Sequence, residues 1–246
     1  MKTITYVIIG AIVGILFVAA LYFIFNRPLT PTGIDVRVCV DITDAEPSPL
    51  NADDIIDLSY YGVNQSQEIT IQTQTLSQYS VNETQELYMP SESFFNANKH
   101  KRKRTMAKLT KQLDTTLSKL YAEQSDKNRS NIFGMLLNCI NDLSKSKNAK
   151  KVLIINSDMQ DNIPMVFSCF KASDIELLKN HKDAVEQKLL QGNTLADMHG
   201  MYVYIIHKPR SQKDDDLFSL IVNNIYKRMY EAKGAKVYVQ NNLFGH

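Results

Sequence analysis

The chain has 246 residues, with 28 Lys and Arg against 26 Asp and Glu and a formal charge of +2. That length holds one ordinary domain plus an appended segment, and so balanced a charge gives no bulk drive toward nucleic acid, which is not expected as a partner. Cys39, Cys139 and Cys169 sit among apolar neighbours without metal-ligand or Cys-x-x-Cys spacing, so buried thiols are expected rather than a disulfide framework or a zinc site.

Residues 4–25 are uncharged and almost wholly apolar, closed by Asn26, Arg27 and Pro28. The stretch meets the roughly 20 residues that a helix needs to cross a bilayer. A cleaved signal peptide competes through Val18-Ala19-Ala20, but further apolar residues follow Ala20. Residues 1–26 are therefore expected to form a single transmembrane anchor, in a bacterial inner membrane with the body outside the cytoplasm. Lys2 and Arg27 at its two ends leave the positive-inside rule little to count. Residues 27–34, with Pro28, Pro31 and Gly33, read as a stiff tether.

The remainder, residues 35–246, alternates strands with helices. Val36–Val40 is a β-branched run that ends in the cluster Asp41-Ile42-Thr43-Asp44. A short helix is expected from Asn51 to about residue 60, and an alternating strand over 68–76. A hairpin through 77–90 leaves 86–89 as an edge strand. Leu109, Leu113, Leu117 and Leu120 mark a helix over 98–124, and Ile132, Met135, Leu136, Cys139, Ile140 and Leu143 mark the next. A second strand, 152–156, runs into Ser157-Asp158 as the first runs into Asp41. One helix within 173–191, a strand over 201–207, a helix from about 214 to 233 and a strand over 236–240 complete the pattern. Alternation of this kind predicts an α/β fold with a doubly wound, mostly parallel, Rossmann-like sheet carrying one antiparallel edge strand, preceded by the transmembrane helix. In such a sheet Asp41 and Asp158 share one rim, where close like charges call for a cation or a proton.

These motifs resemble those of the von Willebrand factor A-like family. Asp41-Ile42-Thr43-Asp44-Ala45 is similar to its Asp-x-Ser-x-Ser site, with Thr43 in place of the first Ser. Ser130-Asn131-Ile132-Phe133-Gly134-Met135-Leu136 resembles its Thr-led entry into a helix, and Asn156-Ser157-Asp158 its turn after the central strand. The resemblance implies a Mg²⁺ site, with Mn²⁺ as substitute, formed by Asp41, Thr43, Ser130 and Asp158. Ala45 stands where the family has a second Ser, so Asp44 or a water would replace that ligand, and Met159 stands where it has a Gly. It also implies a protein-binding or assembly role, in which a partner protein offers a carboxylate to the metal.

Two other readings stay open: a Mg²⁺-dependent phosphoester hydrolase, for which Asp44 and Asp161 are the only further acids nearby, and a metal-free scaffold subunit of a membrane complex. No catalytic motif is present, and the five histidines form no metal-ligand spacing. One strongly biased charge run remains, Lys99, Lys101, Arg102, Lys103 and Arg104, suited to anionic lipid or another anion beside a membrane.

Overall fold

The computed structural model describes Gly14, Phe17, Val18 and residues 33–44, 47–77, 83–92, 98–123 and 129–243. The expected span over 4–25 lies outside the described residues apart from those three helical positions, and Ala45 lies outside them as well. Among the described residues no helix is long and apolar enough to cross a membrane. The chain divides into two units, Met1–Pro31 and Thr32–His246.

The centre of the second unit is a six-stranded sheet. Strand β1 (Ile34–Asp41) pairs in parallel with β2 (Ile69–Leu76) on one side and β4 (Lys150–Asn156) on the other. Beyond β4 lie β7 (Met201–Ile206) and β8 (Lys236–Gln240), both parallel. β3 (Gln85–Met89) closes the far edge as the single antiparallel member. β1 and β4 are nearly all buried because helices cover both faces of the central strands, as a parallel sheet requires. β2 keeps strict alternation: Ile69, Ile71 and Thr73 are buried, while Thr70, Gln72 and Gln74 are half-exposed.

One face packs on α1 (Ala52–Tyr60) and α2 (Lys99–Ala122); Val36, Val38, Val152 and Ile154 meet Ile55, Leu109, Leu113 and Leu117 there. The other face packs on α3 (Ile132–Ser144), on α5 (Lys182–Leu190), preceded by α4 (Ala172–Asn180), and on α6. Helix α6 is continuous from Gln212 to Ala232 but contains one π turn, Val222–Tyr226. Asparagine caps start three of these helices: Asn51 accepts from the Asp53 amide, Asn98 from Lys101 and Asn131 from Gly134. Gly134 is needed at the third, since a Cβ there would lie 2.6 Å from the capping Oδ1 of Asn131.

Two expectations need correcting. The single helix expected within 173–191 is two, broken at His181, whose φ of −141° and ψ of 54° leave the helical region. The break lets Leu178 and Val185 both reach zero exposure, which the local pattern does not reveal. A small hairpin, β5 (Asn162–Ile163) with β6 (Phe167–Ser168), was also not expected, because two-residue strands carry no periodicity.

Within the basic run, Arg102 is turned inward. Its guanidinium donates to the carbonyls of Gln65 (2.8 Å from Nε), Pro90 and Gln67 and to the Tyr60 hydroxyl (3.0 Å), tying α2 to α1 and to the turn before β2. Lys99, Lys101, Lys103 and Arg104 stay exposed. Arg102 is thus a structural staple, removed from the expected anion-contact set by its own hydrogen bonds. Replacement Arg102→Ala removes its bonds to the part-buried carbonyls of Gln65, Gln67 and Pro90 and should cost about 1–3 kcal/mol. Denaturant unfolding of the full chain checks this, with Arg104→Ala leaving the midpoint unchanged.

Candidate functional site

The strand order places β1 and β4 side by side while the chain winds away from them in opposite directions. A crevice opens at the carboxyl ends of the strands at such a switch point. Register fixes what stands on its rim: Val40 pairs with Asn156 and Asn156 with Ile206, so Asp41, Ser157 and His207 sit next to those levels on three adjacent strands.

Asp41 has no exposure. Its Oδ1 accepts from the Thr43 amide (2.8 Å), the Thr43 hydroxyl (2.6 Å) and the Asp44 amide (3.2 Å), and its Oδ2 accepts from the Ser157 hydroxyl (2.6 Å). Burial nevertheless pushes its pKa up; the Ser157 and Thr43 bonds work against that, and the charge of Asp44 adds to it. Asp158 is pushed further, to about 8, first by burial and then by the charges of Asp41 and Asp44. The Gln160 amide, 2.9 Å from Oδ1, and Arg210 pull it down only in part. Asp41, Asp44 and Asp158 therefore share one electrostatic environment, as expected from their strand ends.

Ser130 also belongs to this rim, because the Asn131 amide donates to Ser77, the residue that follows β2, and Ser130 bridges to Asn162. Its hydroxyl is committed elsewhere than to the aspartates: it donates to the Gln160 carbonyl (2.8 Å) and accepts from the Asn162 amide (3.0 Å). Met159, where the resemblance calls for Gly, has a φ of 59°, the left-handed conformation that glycine adopts without strain. Its side chain is fully buried in the core beside α3, and that burial offsets the strain.

Asp161 is not available to the crevice. Its Oδ1 accepts from the Phe133 amide (3.1 Å) at the start of α3, and its Oδ2 accepts from the hydroxyl of Tyr226, a residue of the π turn. Burial raises its pKa to about 7 against those two bonds.

Sequence reasoning did not bring His207 and Arg210 to these acids. His207, which follows β7, lies with Nδ1 3.9 Å from Asp44 Oδ2 and Nε2 3.3 Å from Asp214 Oδ2. Arg210 reaches Asp44 Oδ1 at 3.5 Å and Asp214 Oδ2 at 3.7 Å, and its amide donates to Asp214 at 2.9 Å. Asp214 is raised by burial, but the Arg210 amide, His207 and the Arg210 guanidinium outweigh this and hold it low. The only local hint was the acidic run opening α6; the partners come from separate segments. Among the described residues no three His, Cys, Asp or Glu side chains form a group that could hold a metal ion. The basic residues Lys99 to Arg104 lie at the opposite rim, since Arg102 grips the segment just before β2. No known family description matches the chain, and no curated protein matches it.

Asp158 sets a pH dependence. In the folded protein it titrates at about 8, against about 3.9 unfolded, so between those values the folded state holds the extra proton. Its contribution is fully present below about pH 4 and is lost as pH rises toward 8. Denaturant unfolding in a chelating buffer at pH 5 and pH 8 should show the native chain losing about 1–3 kcal/mol more than Asp158→Asn does. Equal losses would remove the burial argument.

Proposed function

We propose that the unit Thr32–His246 is a protein-binding or assembly module of the von Willebrand A-like kind, held at a membrane by the apolar segment within residues 1–26. The observation that carries the reading is the group of carboxylates Asp41, Asp44 and Asp158, held together at the carboxyl ends of neighbouring parallel strands. The strand order, the lone antiparallel edge strand and the left-handed turn at Met159 support it further. Exposed Lys99, Lys101, Lys103 and Arg104 stand at the rim where residue 33 enters β1, which suits contact with anionic lipid near a tether.

For Mg²⁺ the donors fit in type, being oxygens only. They do not form a closed cage, because both oxygens of Asp41 and the hydroxyl of Ser130 already have protein partners. A hydrated Mg²⁺, with Mn²⁺ as substitute, would have to be held by Asp158 and Asp44 largely through its waters, with Asp41, Thr43 and Ser130 as supports, since the Thr43 hydroxyl is itself bonded to Asp41. Such an ion would neutralise the clustered carboxylates and leave a position for a carboxylate of a partner protein. The hydrolase reading loses ground here, since Asp161 is occupied by α3 and Tyr226 and leaves no spare acid.

A metal-free scaffold is the second reading, favoured by Arg210, whose guanidinium already brings positive charge to Asp44. Calorimetric titration of the detergent-purified chain with Mg²⁺ and Mn²⁺ should give binding heat that Asp158→Ala abolishes. Affinity purification should give a partner that is lost with Asp41→Ala or with chelator. A partner retained under both treatments, with no binding heat, would leave the scaffold reading standing and the metal reading overturned.

A further inference from the structure

Cys39 in β1 and Cys139 in α3 are 100 positions apart in sequence, yet their sulfurs lie 3.5 Å apart in the core between sheet and helix. We propose that these two thiols are an oxidation site, joined as a disulfide when the protein meets a disulfide oxidant such as oxidised glutathione. This inference is independent of the metal and adhesion readings above.

Geometry permits the bond. A disulfide needs sulfurs about 2.05 Å apart, so the two sulfurs, now 3.5 Å apart on packed elements, must close by about 1.5 Å. Access is one-sided. Cys39 is fully buried, whereas Cys139 is 5% exposed and lines an open groove of about 570 Å³. Arg37, Gln72, Gln74 and Asn138 also line it, with Lys145 paired to Asp142 at 2.8 Å, so it is polar, keeps Arg37 as a cation and has room for a small peptide. Cys169 is remote from both in the hydrogen-bond network, its amide donating to the Asp161 carbonyl, and it serves as an internal control.

The chemistry closes in two exchanges. The Cys139 thiol loses its proton, and its sulfur attacks oxidised glutathione. A Cys139–glutathione bond forms, the glutathione S–S bond breaks, and the first glutathione leaves as a thiol with that proton. Cys39 then attacks the Cys139 sulfur and its proton goes to the second departing glutathione. The protein is oxidised by two electrons, and one glutathione disulfide becomes two thiols. The product cross-links β1, two residues before Asp41, to the helix whose first turn is held by Asp161, and so stiffens the rim. Compartments that sustain disulfides would keep the pair closed and the cytosol would keep it open.

The test uses the purified full chain in detergent, incubated with oxidised glutathione, alkylated and mapped by mass spectrometry without reduction. The expected result is one linked peptide pair containing Cys39 and Cys139, with Cys169 free. A rise in Tm of about 5–10 °C, reversed by dithiothreitol, should accompany it, because the closed loop is long. Cys39→Ala should instead retain glutathione on Cys139. Native chain mapped with all three thiols free, or with glutathione persisting on Cys139, overturns the proposal, and that readout needs no variant to fold.

Discussion

Placing negative charge at the buried ends of adjacent parallel strands is the constraint on which this structure rests. A parallel sheet delivers all its strand ends to one rim, and here that rim receives Asp41 and Asp158 with almost no water to solvate them. Much of the surrounding structure answers that cost. The loop after β1 folds its own amides and the Thr43 hydroxyl onto Asp41, and Ser157 reaches across from β4. Arg210, from the segment after β7, supplies positive charge to Asp44, and the ring of His207 lies beside the same carboxylate. What compensation remains incomplete is visible at Asp158, whose proton is held to about pH 8.

Asp161 shows the same chemistry used for architecture. It sits three residues beyond Asp158, yet it is bound to the first turn of α3 and to Tyr226. The π turn in α6 contains Tyr226, and an added residue per turn changes which side chain faces the sheet at that level. Met159 belongs to the same arrangement, because its left-handed backbone turns the chain between Asp158 and Asp161. Two local irregularities, the π turn and the left-handed Met159, therefore meet at Asp161, consistent with the tendency of strained backbone to gather at such sites.

Charge is divided between the two ends of the sheet. The carboxyl rim concentrates acids beside Arg210, whereas the opposite rim carries the basic start of α2. Arg102 anchors that end by satisfying carbonyls of the turn before β2, leaving its exposed neighbours for solvent or for a surface.

The sequence by itself determined the order of the main-sheet strands and of the helices apart from the break at His181, the parallel character of the sheet and the common rim of Asp41 and Asp158. Each of these follows from local periodicity and from the rule that parallel strands need crossover connections. It was equally informative about the helix starts, because an asparagine cap acts within three residues. Tertiary structure alone decided the rest. Arg102 looks like any member of a basic run until its carbonyl partners are brought to it, and Ser130 looks like a ligand until Gln160 and Asn162 take up its hydroxyl. The approach of His207 and Arg210 to Asp44, and of Cys39 to Cys139, joins segments from about 100 to over 160 positions apart. No local pattern encodes such pairings, since they are set by which faces of separate elements pack against the same sheet.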